Sequence, residues 1–434
     1  MKKSKKLISL ILSIVMIFSL ASICASAEGT QEAAPTLDTS AFKTDYPYIF
    51  VHGMGGWAPG SDYYSVSPYW GGGLLPGSTD DIIKTLNEQG VEAYAPAVGP
   101  LSSAWDRACE LYAQLMGTVV DYGAAHAEAH GHDRYGFNYE GKAIMGESWD
   151  MTEKINLVGH SFGGATVRLF TSLMAYGCEE EVAATGSDTS ALFVGGHDSV
   201  HSCITLSAPH NGSQVANLLF DPGVTMLAIS AALNMVGAFF GNDFMVFSLQ
   251  LGHFGITPKQ GEDKAKIDLK AIKNFYKAND NCGYDMTLRG AAELNETIKL
   301  AENTYYYSYT TATTEEGPFG KQTPMDSLNP IFYISSAMIG MTEGTTIDGI
   351  KIEGDWAVND GIVPLASALY PTVDAATATD YEDAIANGEE ITSGRWYYTD
   401  TMVGMDHFDF CGTEDYPTSF EQFYFDMVAL ANSR

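Results

Sequence analysis

Residues 155 to 170, INLVGHSFGGATVRLF, carry an apolar run into a helical pattern through a corner built from glycines and one serine. INLVGHS is short, bounded by glycine and without the alternation of a half-wetted strand, so it reads as a buried strand of a parallel sheet. The helical pattern begins near Gly164. Gly159, Ser161 and Gly163 therefore form G-x-S-x-G on a strand-to-helix turn. A strained turn of this kind holds a serine oxygen clear of its neighbours. The onset of a helix just after it aims amide hydrogens at any oxyanion forming beside the serine, as acyl transfer requires. The plainer alternative is a tight connection carrying an idle serine.

The rest of the chain supports a layered α/β architecture. YIFVHG (48 to 53) is a second apolar run ended by glycine, and TDDIIKTLNEQG and WDRACELYAQLM between the two runs have helical spacing. Near the C-terminus, Pro417 and Thr418 open a helix with Phe420, Phe423, Met427 and Leu430 on one face, expected to close the fold against the sheet. The segment from Asp374 to Glu390 has six carboxylates and reads as a solvated loop. No repeat and no Pro/Ser/Gly linker divides the chain, so residues 46–434 are expected to form a single domain.

The first 27 residues have the composition of a secretory leader. Lys2, Lys3, Lys5 and Lys6 precede an apolar stretch from Leu7 to Ile23, and ASA at 25 to 27 offers small residues for cleavage. Glu28 to Asp45 then forms a polar, flexible lead-in. Loss of the leader's four lysines leaves 19 basic against 54 acidic side chains, moving the net charge from −31 to −35. That excludes nucleic acid as an electrostatic partner, and the cleavage site argues against a permanent membrane anchor. Cys109, Cys178, Cys203, Cys282 and Cys411 are odd in number and widely scattered, which is not a disulfide framework.

Three further segments bear on the serine. VHGMGGW (51 to 57) places His-Gly at a strand end, where the amide of Met54 can join that of Phe162 in an oxyanion hole. VNDGIVP (358 to 364) and GMDHFDF (404 to 410) give the chain order Ser161, Asp360, His407. A serine hydroxyl needs a histidine to take its proton, and the histidine needs a carboxylate to fix its tautomer. His407 is the last histidine and lies near the closing helix, whereas His197, His201, His210 and His253 suit ordinary polar or cavity-lining roles. Asp355 and Asp374 compete with Asp360, which is preferred for its apolar approach and the following Gly361.

A separate constellation suits a metal. His126, His130 and His132 cluster in AAHAEAHGHDR, and Asp106 precedes them. Imidazoles and carboxylates suit zinc, and four ligands with no open position make a structural site. Spacing alone does not decide which two histidines bind, and a solvated His-rich loop is the alternative.

YIFVHGMGGW, YWGGG, AVGPLSSAWDRACELYAQLMGTVVDYGAAHAEAHGHDRYG, GHSFGGATVR, APHNG, NDGIVP and DHFDF together resemble the secreted zinc- and calcium-containing lipases of thermophilic bacilli, with staphylococcal lipases as relatives. The resemblance runs from about Tyr46 to the C-terminus and is loosest between 175 and 330. It implies an α/β-hydrolase fold, a mostly parallel central sheet flanked by helices, with a zinc-containing insertion and a helical lid at about 214–257. It also implies Ser161 as nucleophile, His407 as base and Asp360 as orienting acid. Zinc would be held by Asp106, His126, His132 and Asp280, leaving His130 out. Calcium would be held by Asp409 with Glu414 or Asp415, with a carbonyl near Ser327, where serine replaces the family's glycine. The chain departs from the resemblance at Phe162 and Met54, which bears on pocket shape rather than on backbone amides.

VTMLAISAALNMVGAFF (224 to 240) is apolar on nearly every side. It is either a core helix or a lid that opens at a lipid surface, and the resemblance implies the lid. The expected activity is that of a secreted lipase hydrolysing lipid esters, triacylglycerols first, at an oil-water interface. A carboxylesterase for short soluble esters and a phospholipase are alternatives within the class. A non-catalytic secreted lipid-binding protein is the alternative outside it.

Overall fold

A computed structural model of the chain describes residues 46–59, 64, 68–72, 81–219, 249–262, 269–412 and 419–434. The leader and lead-in, the apolar segment 224–240 with most of the expected lid, Pro417 and Thr418, and the acids Glu414 and Asp415 lie outside the described residues.

The apolar runs become strands of one seven-stranded sheet: β1 (Tyr48–Val51), β2 (Ala93–Tyr94), β3 (Ile155–His160), β4 (Val200–Leu206), β5 (Tyr305–Tyr309), β6 (Thr379–Asp380) and β7 (Trp396–Tyr398). Their spatial order is β6-β7-β5-β4-β3-β1-β2, and every pairing is parallel. Every residue of β1, β3 and β4 is buried, since helices cover both faces of the sheet and leave no wet side. Alternation along each strand splits the core into two layers. Ile49, Val51, Leu157, Cys203, Tyr306 and Trp396 enter one layer. Tyr48, Phe50, Val158, Ile204, Tyr307 and Tyr397 enter the other.

Both helices expected between the first two long strands are present. Helix α1 (Ile82–Glu88) is capped by Asp81, whose carboxylate accepts from the Ile83 and Lys84 amides. Helix α2 (Ala104–Met116) starts at Ser103, whose hydroxyl accepts from the Asp106 amide, and stops at Gly117, held at φ 63°. The short helix α3 (Ala124–His130) follows. Helix α4 (Gly163–Tyr176) starts two residues after Ser161 and shares the first core layer with α2.

Helix α5 (Phe420–Asn432) closes the second layer. Its buried residues are Phe423, Tyr424, Phe425, Met427, Val428 and Ala431, with Phe420 and Leu430 only half-buried. The inward face is therefore rotated from the one expected. The cap is Ser419, whose hydroxyl accepts from the Gln422 amide. The Tyr48 hydroxyl fixes that rotation by donating to Val428 O at 3.2 Å and Asn432 Oδ1 at 2.8 Å.

The acidic stretch from Asp374 to Glu390 is not a loop. It contains edge strand β6 and a helix, Tyr381–Ala386, whose Asp380 cap accepts from the Asp383 amide. Tyr381 and Ala384 turn inward onto the second layer, so the carboxylates occupy the outer face.

The topology places a crevice. From β1 the chain crosses to the edge strand β2 and returns to β3 on the other side of β1. Ligand sites in such sheets lie outside the carboxyl ends of strands where the order reverses. Here those ends lead into Gly53 and Ser161. All five cysteines expected in the mature chain are free thiols. Among the described residues no helix is long and apolar enough to cross a membrane.

Candidate active site

Ser161 follows β3 directly and adopts φ 56°. A non-glycine residue in this left-handed region costs about 1–3 kcal/mol. The turn is held by Ser161 N–H donating to Leu206 O and Gly164 N–H donating to Ser161 O, each at 2.9 Å. Its glycines are required by close approach: a Cβ on Gly163 would lie 2.1 Å from Val51 O, and one on Gly159 would lie 2.5 Å from Gly163 O. Helix α4 can thus start against the end of β1 only because these two positions lack side chains.

The structure brings together the three residues expected from chain order. His407 Nε2 lies 2.9 Å from Ser161 Oγ, and His407 Nδ1 lies 2.8 Å from Asp360 Oδ2. Asp360 Oδ1 accepts from the amides of Ile362 at 3.0 Å and Val363 at 2.8 Å, leaving Oδ2 to the imidazole. The His407 amide donates to Asp360 O at 3.0 Å, locking the two loops backbone to backbone. Asp360 is 0% exposed and His407 2%, so bulk water does not compete for these bonds. The competing residues lie elsewhere: Asp355 is exposed, and Asp374 interacts with Arg168. His201 approaches Ala431 O, and His210 sits between Arg168 and Thr205.

Two amides flank the serine. Phe162 N–H begins the turn into α4, and Met54 N–H follows Gly53; within the described residues neither donates a hydrogen bond. Gly53 is packed so closely that a Cβ on it would fall 2.7 Å from Ser161 Cβ. Buried Arg107 braces the same region. It donates to His52 O, to Gly99 O at 3.0 Å, to Gly53 O at 3.4 Å and to Thr166 Oγ1 at 2.9 Å, with its guanidinium 5.2 Å from the centre of the Phe162 ring. No sequence motif singles out this arginine, because the His52 and Gly53 carbonyls that it braces lie more than fifty positions away.

The second constellation also assembles. Single ligand atoms of Asp106, His126, His132 and Asp280 all lie within 4.8 Å of one another. His126 Nε2 is 3.3 Å from both Asp106 Oδ1 and Asp280 Oδ2, and His132 Nε2 is 3.2 Å from Asp280 Oδ2. Those four atoms are buried and make no hydrogen bond, since the lone pairs converge on a common centre instead of on one another. A buried polar atom without a partner is costly. A cation at the centre satisfies all four at once, and the donor set of two imidazoles and two carboxylates fits zinc. His130 is not in the converging set; its Nδ1 faces Ala278 O at 2.9 Å. His132 Nδ1 pairs with Asp133 O at 2.9 Å, which leaves Nε2 for the centre. His253, expected to be an ordinary polar residue, holds Asp106 Oδ2 at 2.9 Å.

The other metal expectation is less complete. Asp409 is buried, and its Oδ2 accepts from the Asp406 amide at 2.6 Å. Ser327 is exposed on the turn before Asn329, whose amide donates to Asp406 Oδ2 at 2.9 Å. Among the described residues the clusters able to hold a cation are the one above and Asp380, Glu382 and Asp400; neither includes Asp409. The described donors therefore do not make up a calcium site.

The chain has known relatives. The family described as "Lipase-like, C-terminal domain" matches residues 44–428. Lipase 2 of Staphylococcus aureus is 36% identical over 378 residues, covering 85% of this chain and 50% of the relative. The chain thus spans about half the length of the curated relatives it matches. Among solved structures, Staphylococcus hyicus lipase aligns with a TM-score of 0.73 at 29% identity, over 92% of this chain and 99% of that one. EstA from Clostridium botulinum aligns with a TM-score of 0.76 at 30% identity, over 98% of each chain.

Proposed function

The chain belongs to the lipase-like, C-terminal domain family, and from that membership we propose that it is a secreted serine ester hydrolase acting on lipid esters, triacylglycerols first. The observation that carries this reading is the hydrogen-bonded series Ser161–His407–Asp360, at 2.9 and 2.8 Å, beside two amides that have no acceptor among the described residues.

In this reading Ser161 Oγ attacks the ester carbonyl while His407 Nε2 takes its proton. The carbonyl oxygen, now negative, lies between the amides of Met54 and Phe162. Collapse of the tetrahedral intermediate expels the alcohol, which leaves with the proton from His407, and Ser161 carries the acyl group. Water then repeats the sequence with His407 again as base and releases the acid. Asp360 Oδ2 holds His407 in the tautomer with Nδ1–H and stabilises the imidazolium. Its other oxygen is taken up by two amides, which keeps Oδ2 turned to the imidazole.

Asp106, His126, His132 and Asp280 would hold zinc. With four protein ligands and no open position, such an ion supplies structure rather than chemistry. A calcium site on Asp409, with Glu414 or Asp415 and the Ser327 carbonyl, rests on position alone; its role would be to steady the loop carrying His407. Secretion rests on the leader at 1–27, and action at an oil-water interface rests on the apolar segment 224–240.

The test is hydrolysis of one triacylglycerol below and above its solubility limit, by the wild type and by Ser161→Ala. The wild type should gain activity once emulsion forms, the variant should lose at least about 10³-fold at unchanged melting temperature, and an organophosphonate should label only the wild type. A variant as active as the wild type would sink the assignment. Activity that ignores the emulsion would favour a carboxylesterase of short soluble esters.

A further inference from the structure

We infer that Tyr69 and His160 are positioning residues: a hydrogen-bonded relay through both ties the oxyanion turn at Gly53 to the backbone of His407. The inference rests on the hydrolase reading above. It accounts for the aromatic of the YWGGG stretch and for the histidine next to the nucleophile, neither of which has a place in the proton transfers.

Donor and acceptor directions in the relay are fixed by its ends. The Gly53 N–H can only donate, so Tyr69 Oη accepts it at 2.8 Å. The hydroxyl proton of Tyr69 then goes to His160 Nδ1, 2.6 Å away. His160 Nε2 must carry a hydrogen, because its partner at 2.8 Å is the carbonyl oxygen of His407. Only the Nε2-protonated neutral imidazole satisfies both contacts. Burial, and after it the neighbouring His407, holds the His160 pKa well below the usual histidine range, so that neutral form persists. The Cys411 thiol stands 3.5 Å from the same Nδ1 and closes the pocket on that side. Tyr69 is held edge-on between the rings of Trp57 and Trp70, so its hydroxyl does not swing.

The opposite side of Gly53 is held as well. Its carbonyl faces His52 Nδ1 at 2.9 Å, Gly56 N–H at 3.2 Å and Arg107 Nη1 at 3.4 Å. In a planar trans peptide the N–H of Met54 points away from that carbonyl. Pinning Gly53 at both its N–H and its C=O therefore sets where the Met54 amide aims. The relay sets that aim relative to His407, so nucleophile, base and oxyanion donor share one frame. Displacements near 1 Å in such a frame can cost about 10²-fold in rate.

Tyr69→Phe keeps the ring and removes the hydroxyl. The expected result is a kcat about 10-fold lower, a KM within about 2-fold, and phosphonate inactivation slowed in step with kcat, since both reactions place a negative oxygen in the same hole. The shape of the kcat/KM pH profile should not change. His160→Gln retains an N–H donor and a carbonyl acceptor, and should lose less activity than His160→Leu. In the Tyr69→Phe/His160→Gln double variant the two losses should be less than multiplicative, because either change breaks the same relay. Wild-type kcat in Tyr69→Phe, a loss explained wholly by fewer titratable active sites, or independent multiplicative losses in the double variant each overturn the inference. An inactive wild type would instead defeat the hydrolase reading on which it rests.

Discussion

Asp106 and Arg107 are neighbours on the first turn of α2, yet they serve two different sites. Asp106 Oδ1 faces His126 in the four-ligand cluster, while Arg107 donates to the carbonyls of His52 and Gly99 around the oxyanion turn. One rigid helix therefore carries both a candidate metal ligand and the brace of the loop packed against Ser161. Without an ion, one ligand atom of each of these two carboxylates and two imidazoles is left buried without a hydrogen bond, at a cost of several kcal/mol. Stripping the protein with a zinc-selective chelator should lower its melting temperature by several degrees or more and reduce ester hydrolysis, and zinc should restore both. Elemental analysis should find one zinc per chain in the wild type and well below one in Asp280→Ala. Full occupancy in that variant, or a melting temperature indifferent to chelation, would remove the site.

Much of this was legible in the sequence, and the limits have physical causes. INLVGHS and YIFVHG announced themselves because strands buried on both faces have nowhere to put a polar residue. The meeting of Ser161, Asp360 and His407 could be expected because each sits in a short segment with its own turn chemistry. The choice among His126, His130 and His132 was not legible from spacing. Positions 126 and 130 are one helical turn apart and share a face, with ring centres 4.4 Å apart, but α3 stops at Gly131, at φ 76°, and the reversal there brings His132 back to His126 as well, so that it is His132 whose ligand atom joins the cluster. His253 was invisible because its partner Asp106 is 147 positions away. The acidic stretch around Asp380 has the charge density of a loop, but the inward spacing of Tyr381 and Ala384 decides its structure.

Asp360→Asn tests the orienting role apart from folding. The amide keeps the shape of the carboxylate but cannot both accept from the Ile362 and Val363 amides and accept from His407 Nδ1–H. The imidazole then takes the wrong tautomer, and kcat should fall by about 10⁴-fold, the order expected for loss of a triad's orienting acid. Folding should survive, so circular dichroism and phosphonate labelling, slowed to the same degree, are the measurements. A loss under tenfold would transfer the role to another carboxylate.

Gly163→Ala tests whether the corner depends on absent side chains. A methyl there would meet Val51 O at 2.1 Å, and backbone on both sides cannot yield without parting α4 from β1. Overpacking of this kind costs about 1–3 kcal/mol and more where backbone must move, so soluble expression and the denaturation midpoint should both drop. Gly131→Ala is the comparison: its Cβ would meet nothing within 4 Å, leaving only the strain of φ 76°. Equal losses in the two variants would contradict the packing argument.

Glu110 makes stability depend on pH in a direction opposite to that of an ion-paired acid. It is buried in α2, with Oε2 accepting from the Gly99 amide at 2.5 Å and Oε1 from the Tyr122 hydroxyl at 2.9 Å. Burial, with the Asp106 charge adding to it and these hydrogen bonds opposing it, pushes its carboxyl up from 4.5 to about 8. Between those values the folded chain keeps a proton that the unfolded chain has released. Stability from this group is therefore full below pH 4.5, falls as pH rises, and is gone above about pH 8, with a slope of at most about 1.4 kcal/mol per pH unit. Glutamine cannot ionise and still offers an acceptor to Gly99. Guanidinium midpoints measured from pH 5 to pH 8 should thus favour Glu110→Gln over the wild type increasingly as pH rises. Parallel curves would mean that Glu110 is already ionised in the folded protein and that Arg107, which lowers its pKa, outweighs its burial.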